Sequence, residues 1–220
     1  MQHFFYKYLG KRNHYWPLIT FILMSISLSG CTLWLPQEGV YPVKDAPLGG
    51  KKMDWPSRAV QIRQLKLFGV RGELEIHAHG HKGGAMAFRW KQFATHYQLE
   101  LLNPLGKPYV KLIGFQKSAR LYFNNQVYSG KNGEYLIQKH LGMHLPIGYF
   151  TDWLRGVPVL KVRHERVLTP TKHLLKLHQQ GWFVRYLRYH RIRNIDLPTQ
   201  LSISKGDWYA RVLITHWQFY

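Results

Sequence analysis

From Phe68 onward the chain alternates apolar and polar residues with a period of two. Val70, Gly72, Leu74, Ile76 and Ala78 alternate with Arg71, Glu73, Glu75 and His77, the pattern of a strand with one wet face. Gly80 to Gly84 turns the chain, and Met86, Phe88 and Trp90 then alternate with Ala85, Ala87 and Arg89. The pattern repeats at Tyr97, Leu99 and Leu101, at Val110 and Leu112 after the Asn103 to Pro108 break, and at Ala119, Leu121 and Phe123 before the tight-turn pair Asn124-Asn125. These segments predict an antiparallel meander.

The period changes at Asn132. Glu134 to Leu141 and Ile147 to Leu154 predict two short helices, parted by Gly142 and Pro146 and closed by Gly156 and Pro158. Strand patterns resume at Leu160 to Leu168, Lys172 to His178, Gly181 to Tyr189, Gln200 to Ser204 and Trp208 to Trp217, with the second and third joined as a hairpin. Before the first strand, Asp54 or Ser57 caps a predicted helix running to about Leu67, which buries either Val60, Gln64 and Leu67 or Trp55, Ala59 and Ile62. About ten strands and two or three helices predict a mainly β, α+β domain: a strongly curved sheet or barrel with helices packed on or across it.

The N-terminal part follows different rules. Lys7, Lys11 and Arg12 precede an apolar block from Pro17 to Leu28, after which come Ser29, Gly30 and Cys31, the single cysteine of the chain. A positive region, a short apolar region and small residues form an export signal, and Leu28-Ser29-Gly30-Cys31 resembles a bacterial lipobox. On that resemblance residues 1–30 are a cleaved signal peptide and Cys31 carries a covalent N-acyl diacylglycerol, the expected alternative to any cofactor. An uncleaved anchor fits poorly, because twelve helical residues reach only about 18 Å across a hydrocarbon core of about 30 Å. Thr32 to Met53 contains Pro36, Pro42 and Pro47 with Gly39, Gly49 and Gly50 and has no period. Residues 31–53 are therefore expected to be a tether, and 54–220 the folded domain.

Charge narrows the partners. The chain has 31 Lys and Arg against 11 Asp and Glu, and after residues 1–30 are removed 28 basic residues remain, a formal +17. Such a balance selects acidic partners, and export leaves an anionic membrane face or an acidic protein rather than nucleic acid. The basic-aromatic run Arg185 to Arg191 is then an anionic docking edge or an exposed strand blunted with charge.

Chemistry is sparse. Gly106-Lys107 and Gly130-Lys131 lack the spaced glycines of a phosphate loop, no Gly-x-Ser-x-Gly elbow occurs, and the acids are scattered. No catalysis is expected. His77, His79 and His81 occupy alternate positions that could gather imidazoles round a metal, or simply form a polar hairpin end, and no metal is expected there.

Six short words then fall in order: Phe88-x-Trp90-x-Gln92, Tyr97-x-Leu99-x-Leu101, Asn103-Pro104-Leu105-Gly106, Gly142-x-x-Leu145-Pro146, Trp153-Leu154-x-Gly156-x-Pro158 and Gly181-Trp182-x-Val184-x-Tyr186. Behind a lipobox, and over about Trp55 to Trp217, they resemble the LolB family of outer-membrane lipoprotein receptors. The resemblance implies a half-open antiparallel barrel of about eleven strands enclosing an apolar cavity under a helical lid. It implies a monomer, anchored to the outer membrane and facing the periplasm, that accepts lipoproteins from the carrier LolA by their acyl chains and inserts them into the inner leaflet. It also implies that Leu105 protrudes and aids membrane insertion. Phe88, Trp90, Leu99, Leu101, Leu112 and Leu121 would line the acyl cavity, although alternation alone equally describes a closed core. A structural lipoprotein whose basic barrel binds a periplasmic protein or an anionic envelope polymer is the competing reading.

Overall fold

The alternating segments pair into one sheet in the computed structural model, which describes residues 53–78 and 81–220. Its eleven strands are β1 (Phe68–Ala78), β2 (His81–Gln92), β3 (His96–Leu102), β4 (Pro108–Phe115), β5 (Ala119–Phe123), β6 (Gln126–Gly130), β7 (His164–Leu168), β8 (Leu174–Gln179), β9 (Trp182–Ile192), β10 (Ile195–Lys205) and β11 (Trp208–Phe219). The helices are α1 (Trp55–Arg63), α2 (Gly133–Leu141) and α3 (Ile147–Arg155). Cys31, the signal segment and the tether lie outside the described residues.

Strand order is β6-β5-β4-β3-β2-β1-β11-β10-β9-β8-β7, and every neighbouring pair is antiparallel. The first and last strands meet in the middle, while β6 and β7 remain as free edges. The sheet is thus unclosed, as expected of a half-open barrel. The chain passes from one free edge to the other through α2 and α3, which therefore lie in the path between β6 and β7. Helix α2 packs on β4, β5 and β6, and α3 packs on β10.

The structure departs from the predicted segments at three places, each for a physical reason. Strand β6 was not anticipated: Asn124 and Asn125 take φ of 51° and 58° and turn the chain into Gln126–Gly130, an edge strand with no alternation of buried positions to read. Leu160 to Arg163 is a turn rather than strand, with Lys161 at φ 61°. Strand β10 begins five residues early, through Pro198. Pairing with β11 starts only at Gln200↔Leu213, so one flank of the strand is free at Pro198 and its missing N–H disturbs no ladder there.

Helix α1 shows which apolar stripe was the core face. Asp54 Oδ1 accepts a hydrogen bond from Ser57 N at 3.0 Å, and Trp55, Ala59 and Ile62 are buried. Val60 and Leu67 are exposed. Arg58, on the same inward side, reaches the buried Asp196, which also faces His173 Nε2 at 3.1 Å and Arg191 Nε at 2.8 Å. This cluster ties α1 to β9, β10 and the turn before β8. Burial by itself would raise the Asp196 pKa, but the hydrogen bonds from Arg191, His173 and Arg58 and the charge of Arg191 outweigh it and hold the carboxyl below its ordinary value.

A carboxyl whose pKa is lower in the folded chain contributes stability that is present above about pH 4 and is lost as pH falls through the folded value. Asp196→Asn is expected to lower the unfolding free energy by about 3 kcal/mol at neutral pH, since it strands buried cations. The deficit should shrink at acid pH, as the wild-type carboxyl takes up a proton. Urea titrations at neutral and acid pH measure both.

Candidate functional site: an apolar inner face under two helices

Side chains on β2 to β5 that point to the concave side form a continuous stripe because their registers coincide. Phe88 lies opposite Leu101, Trp90 opposite Leu99, Leu99 opposite Leu112, and Leu112 opposite Leu121. All six predicted wall residues are buried: Phe88 is 2% exposed and Trp90, Leu99, Leu101, Leu112 and Leu121 are 0%. Beyond them the face continues through Val70 and Leu74 of β1, Val212 of β11, Ile203 of β10 and Val184 and Tyr186 of β9. Alternation marked the positions on β1 to β5 as inward, without suggesting that one surface joins them to β9, β10 and β11.

What covers the stripe is the pair α2–α3. Leu136 and Ile137 of α2, with Ile147, Phe150, Trp153 and Leu154 of α3, are at most 2% exposed. The Trp90 indole stacks on Tyr97 at 4.6 Å and meets Phe150 at 6.0 Å. Burial, with Glu134 nearby, pushes the Tyr97 hydroxyl well above its ordinary pKa, so it stays neutral. The Trp90 Nε1–H is buried without a partner among the described residues, as befits a surface built for apolar contact.

A few hydrogen bonds pin the helices to both halves of the sheet. Thr151 Oγ1 donates to Gln92 Oε1 of β2 at 2.7 Å. Trp153 Nε1 donates to Gln179 Oε1 of β8 at 3.1 Å, and Tyr186 of β9 donates from its hydroxyl to Trp153 O at 3.0 Å. Arg155, at the end of α3, donates to Leu65 O at 2.8 Å and to Asp152 Oδ1 at 2.6 Å, thereby gripping the segment after α1. The sequence offered little signal for these groups, because each is a single polar residue whose partner is distant in the chain.

Among the clefts at the surface of the described residues are one of about 240 Å³, along β1, β2 and β11, and a second of about 280 Å³. The second opens at the seam between the helices and β9–β10, beside Tyr149, Trp182 and Lys205. Both are smaller than the roughly 300 to 1,000 Å³ of an ordinary ligand pocket.

Leu105 is placed quite differently. Asn103 Oδ1 accepts from Leu105 N and Lys107 N, both at 3.0 Å, Gly106 N donates to Asn103 O at 2.8 Å, and Gly106 adopts φ 73°. That arrangement fixes the β3–β4 turn and leaves Leu105 82% exposed at its tip. Of the histidine cluster only the His77 side chain is described, with Nε2 2.9 Å from Glu75 Oε1; His79 and the side chain of His81 lie outside the described residues. The Arg185 to Arg191 run lies on β9, which pairs with β8 only as far as Arg185, so its remainder is a one-sided edge. Arg191 in that run is held by Asp196.

These placements separate packing from exposure. Leu101→Ala is expected to lower the unfolding free energy by about 3 kcal/mol, as for a fully buried leucine, whereas Leu105→Ala should change it by no more than about 0.5 kcal/mol. Urea denaturation of the two variants measures the contrast.

Comparison with known proteins agrees with this architecture. Among solved structures, a DUF1329 family protein of Desulfovibrio piger aligns with TM-score 0.54 at 12% identity, and a LolA superfamily protein of Nitrosomonas europaea with TM-score 0.52 at 9%. Each alignment covers 76% of this chain and 94% of the other, and at such identity each speaks for the fold alone. By sequence, the outer-membrane lipoprotein LolB of Coxiella burnetii strain RSA 493 is 28% identical over 204 residues, 91% of this chain and 92% of that one. The protein of the same name from Pseudomonas putida is 28% identical over 201 residues, 91% of this chain and 94% of that one. The profile of the family described as outer membrane lipoprotein LolB matches residues 66–217, and the chain belongs to that family.

Proposed function

We propose that this chain is a lipid-anchored receptor at the outer membrane which takes lipoproteins from a LolA-type periplasmic carrier by their acyl chains and releases them into the inner leaflet, without catalysis. The observation that carries this reading is the contiguous apolar inner face of an unclosed sheet, covered by a two-helix insert rather than by closure of the sheet. An acyl chain leaving a carrier loses about 0.8 kcal/mol per methylene if it meets water. A receptor must therefore offer apolar surface continuously, and Phe88, Trp90, Leu99, Leu101, Leu112 and Leu121 supply it when the insert swings away.

Among the described residues no helix is long and apolar enough to cross a membrane. Attachment is assigned to a diacylglyceryl group on Cys31, with residues 31–53 as the tether that lets the domain 54–220 meet its carrier. No energy source is needed, because cargo moves towards the higher affinity. The insertion device is Leu105, whose burial in a bilayer contributes roughly 1.5 to 3 kcal/mol, or about tenfold to a hundredfold in partitioning.

The complete burial of the inner face also suits a filled barrel that acts only as an interaction lipoprotein, and one experiment separates the two. Carrier loaded with labelled lipoprotein is mixed with the receptor, and the label is followed. Cysteines at Thr151 and Gln92, two residues already in contact, are joined by a short bis-maleimide. Transfer to the unlinked pair and its arrest on linking are the expected results. Transfer that persists at the full rate after linking would show that the helices need not move, and no transfer to any form would favour the filled barrel.

Leu105→Glu is expected to accept cargo from the carrier normally and to retain its stability, while delivery into liposomes falls about tenfold or more. A liposome transfer assay, with carrier-to-receptor transfer as control, reads the two steps separately.

A further inference from the structure

The outer, convex face carries a feature that the acyl-binding reading does not use. On β1 and β2, Arg71 lies directly opposite Arg89, and on β1 and β11 it lies opposite His216. Like charges directly opposed across strands are destabilising. Two details of the backbone put them together. Gly69, between Lys91 and Gln218, has no side chain, so the Tyr220 hydroxyl comes within 3.1 Å of where its Cβ would stand and the wall there stays low. The β1–β11 register slips between Arg71 and Gly72, leaving Thr215 as an extra residue whose Oγ1 donates to Arg71 O at 3.1 Å. That bulge turns Trp217 and Phe219 inward and His216 and Gln218 outward.

The result is a cleft of about 240 Å³ with Gly69 on its wall, Arg71, Arg89, Lys91 and His216 around it and Tyr220 at one side. Arg89 is partly satisfied, donating to Glu100 Oε2 at 3.2 Å and to Gly106 O at 3.3 Å. Arg71 and Lys91 make no ion pair among the described residues. Glu73 and Glu75 share the convex face, yet Glu75 is engaged by His77 and Arg211 and neither acid meets Arg71.

We propose that this cleft is an anion site which binds a phosphate ester, with Arg71 and Lys91 as the principal donors and Arg89 as the link to the Leu105 turn. Guanidinium groups match the paired oxygens of a phosphate, and an anion seated between Arg71 and Arg89 converts their repulsion into two attractions. The chemistry is shared by phospholipid headgroups and by soluble phosphates. For a protein attached to a membrane the lipid source has a consequence: a headgroup held here is coupled, through the hydrogen bond from Arg89 to Gly106 O, to the turn that presents Leu105.

The test uses the full chain in neutral-detergent micelles and follows backbone amide shifts of Gly69, Arg71 and Lys91. Dihexanoyl phosphatidylglycerol, its phosphatidylcholine counterpart and inorganic phosphate are titrated in parallel. Saturable shifts centred on these amides are expected with the anionic lipid. Saturation by inorganic phosphate at equal or lower concentration would keep the site and assign it to a soluble ligand. The double variant Arg71→Gln with Lys91→Gln should bind about tenfold more weakly or worse, while Lys117→Gln with Lys172→Gln, equal in charge but in the β4–β5 and β7–β8 turns outside the cleft lining, should bind normally. Gly69→Val leaves every charge in place and fills the cleft, so it should lose binding as well. Equal loss in the two charge pairs, full binding by Gly69→Val, or no saturable shift with any anion would overturn the proposal.

Discussion

An unclosed antiparallel sheet with one largely apolar face cannot exist alone in water, and the rest of this molecule follows from how that face is covered. The stripe from Val70 across Trp90, Leu99, Leu112 and Leu121 exposes almost nothing, at a stabilisation of about 25 cal/mol for each Å² removed from water. Closing the barrel would hide the same surface permanently. Here the cover is α2–α3, drawn from the segment that joins the two free edges, so the inner face is buried by an insert rather than by closure of the sheet.

The attachment of that cover is economical in polar contacts. Its apolar residues interlock with the wall, Trp153 and Phe150 above all, while a small set of side-chain hydrogen bonds sets the position. Thr151 to Gln92 ties it to one half of the sheet, Trp153 to Gln179 and Tyr186 to the other, and Arg155 to the end of α1. Each net hydrogen bond contributes about 1 kcal/mol. A cover held by apolar contact and a few such bonds is one that a ligand replacing the apolar contact could displace, the role proposed above for the acyl chains of the cargo.

The roles proposed for this fold fall on surfaces that point in different directions. The concave side is apolar and sealed, the β3–β4 rim presents one exposed leucine on a turn stiffened by Asn103, and the convex side gathers cations round Gly69. Arg89 is the residue common to the last two, reaching from the convex face to the backbone beside Leu105.

The sequence alone determined the elements whose physics is local. Alternation marked the inward residues of β1 to β5, Asp54 and Ser57 narrowed the cap of α1 to two residues, Gly142 and Gly156 ended α2 and α3 where expected, and the turn chemistry of Asn103 to Gly106 placed Leu105 at a tip. It missed β6, because an edge strand has no buried face to impose a pattern, and it clipped β10 at Pro198, because only the sheet reveals that this proline has a free flank. It also left open whether Trp90 and its neighbours form a closed core or a covered wall, a question of strand closure that no periodicity encodes. Tertiary structure decided the unclosed order with β6 and β7 as edges, the partners of Asp196, Gln179 and Arg155, and the bulge at Thr215 that turns His216 outward. All of these join residues far apart in the chain, and such pairings are fixed by packing and register rather than by neighbours in sequence.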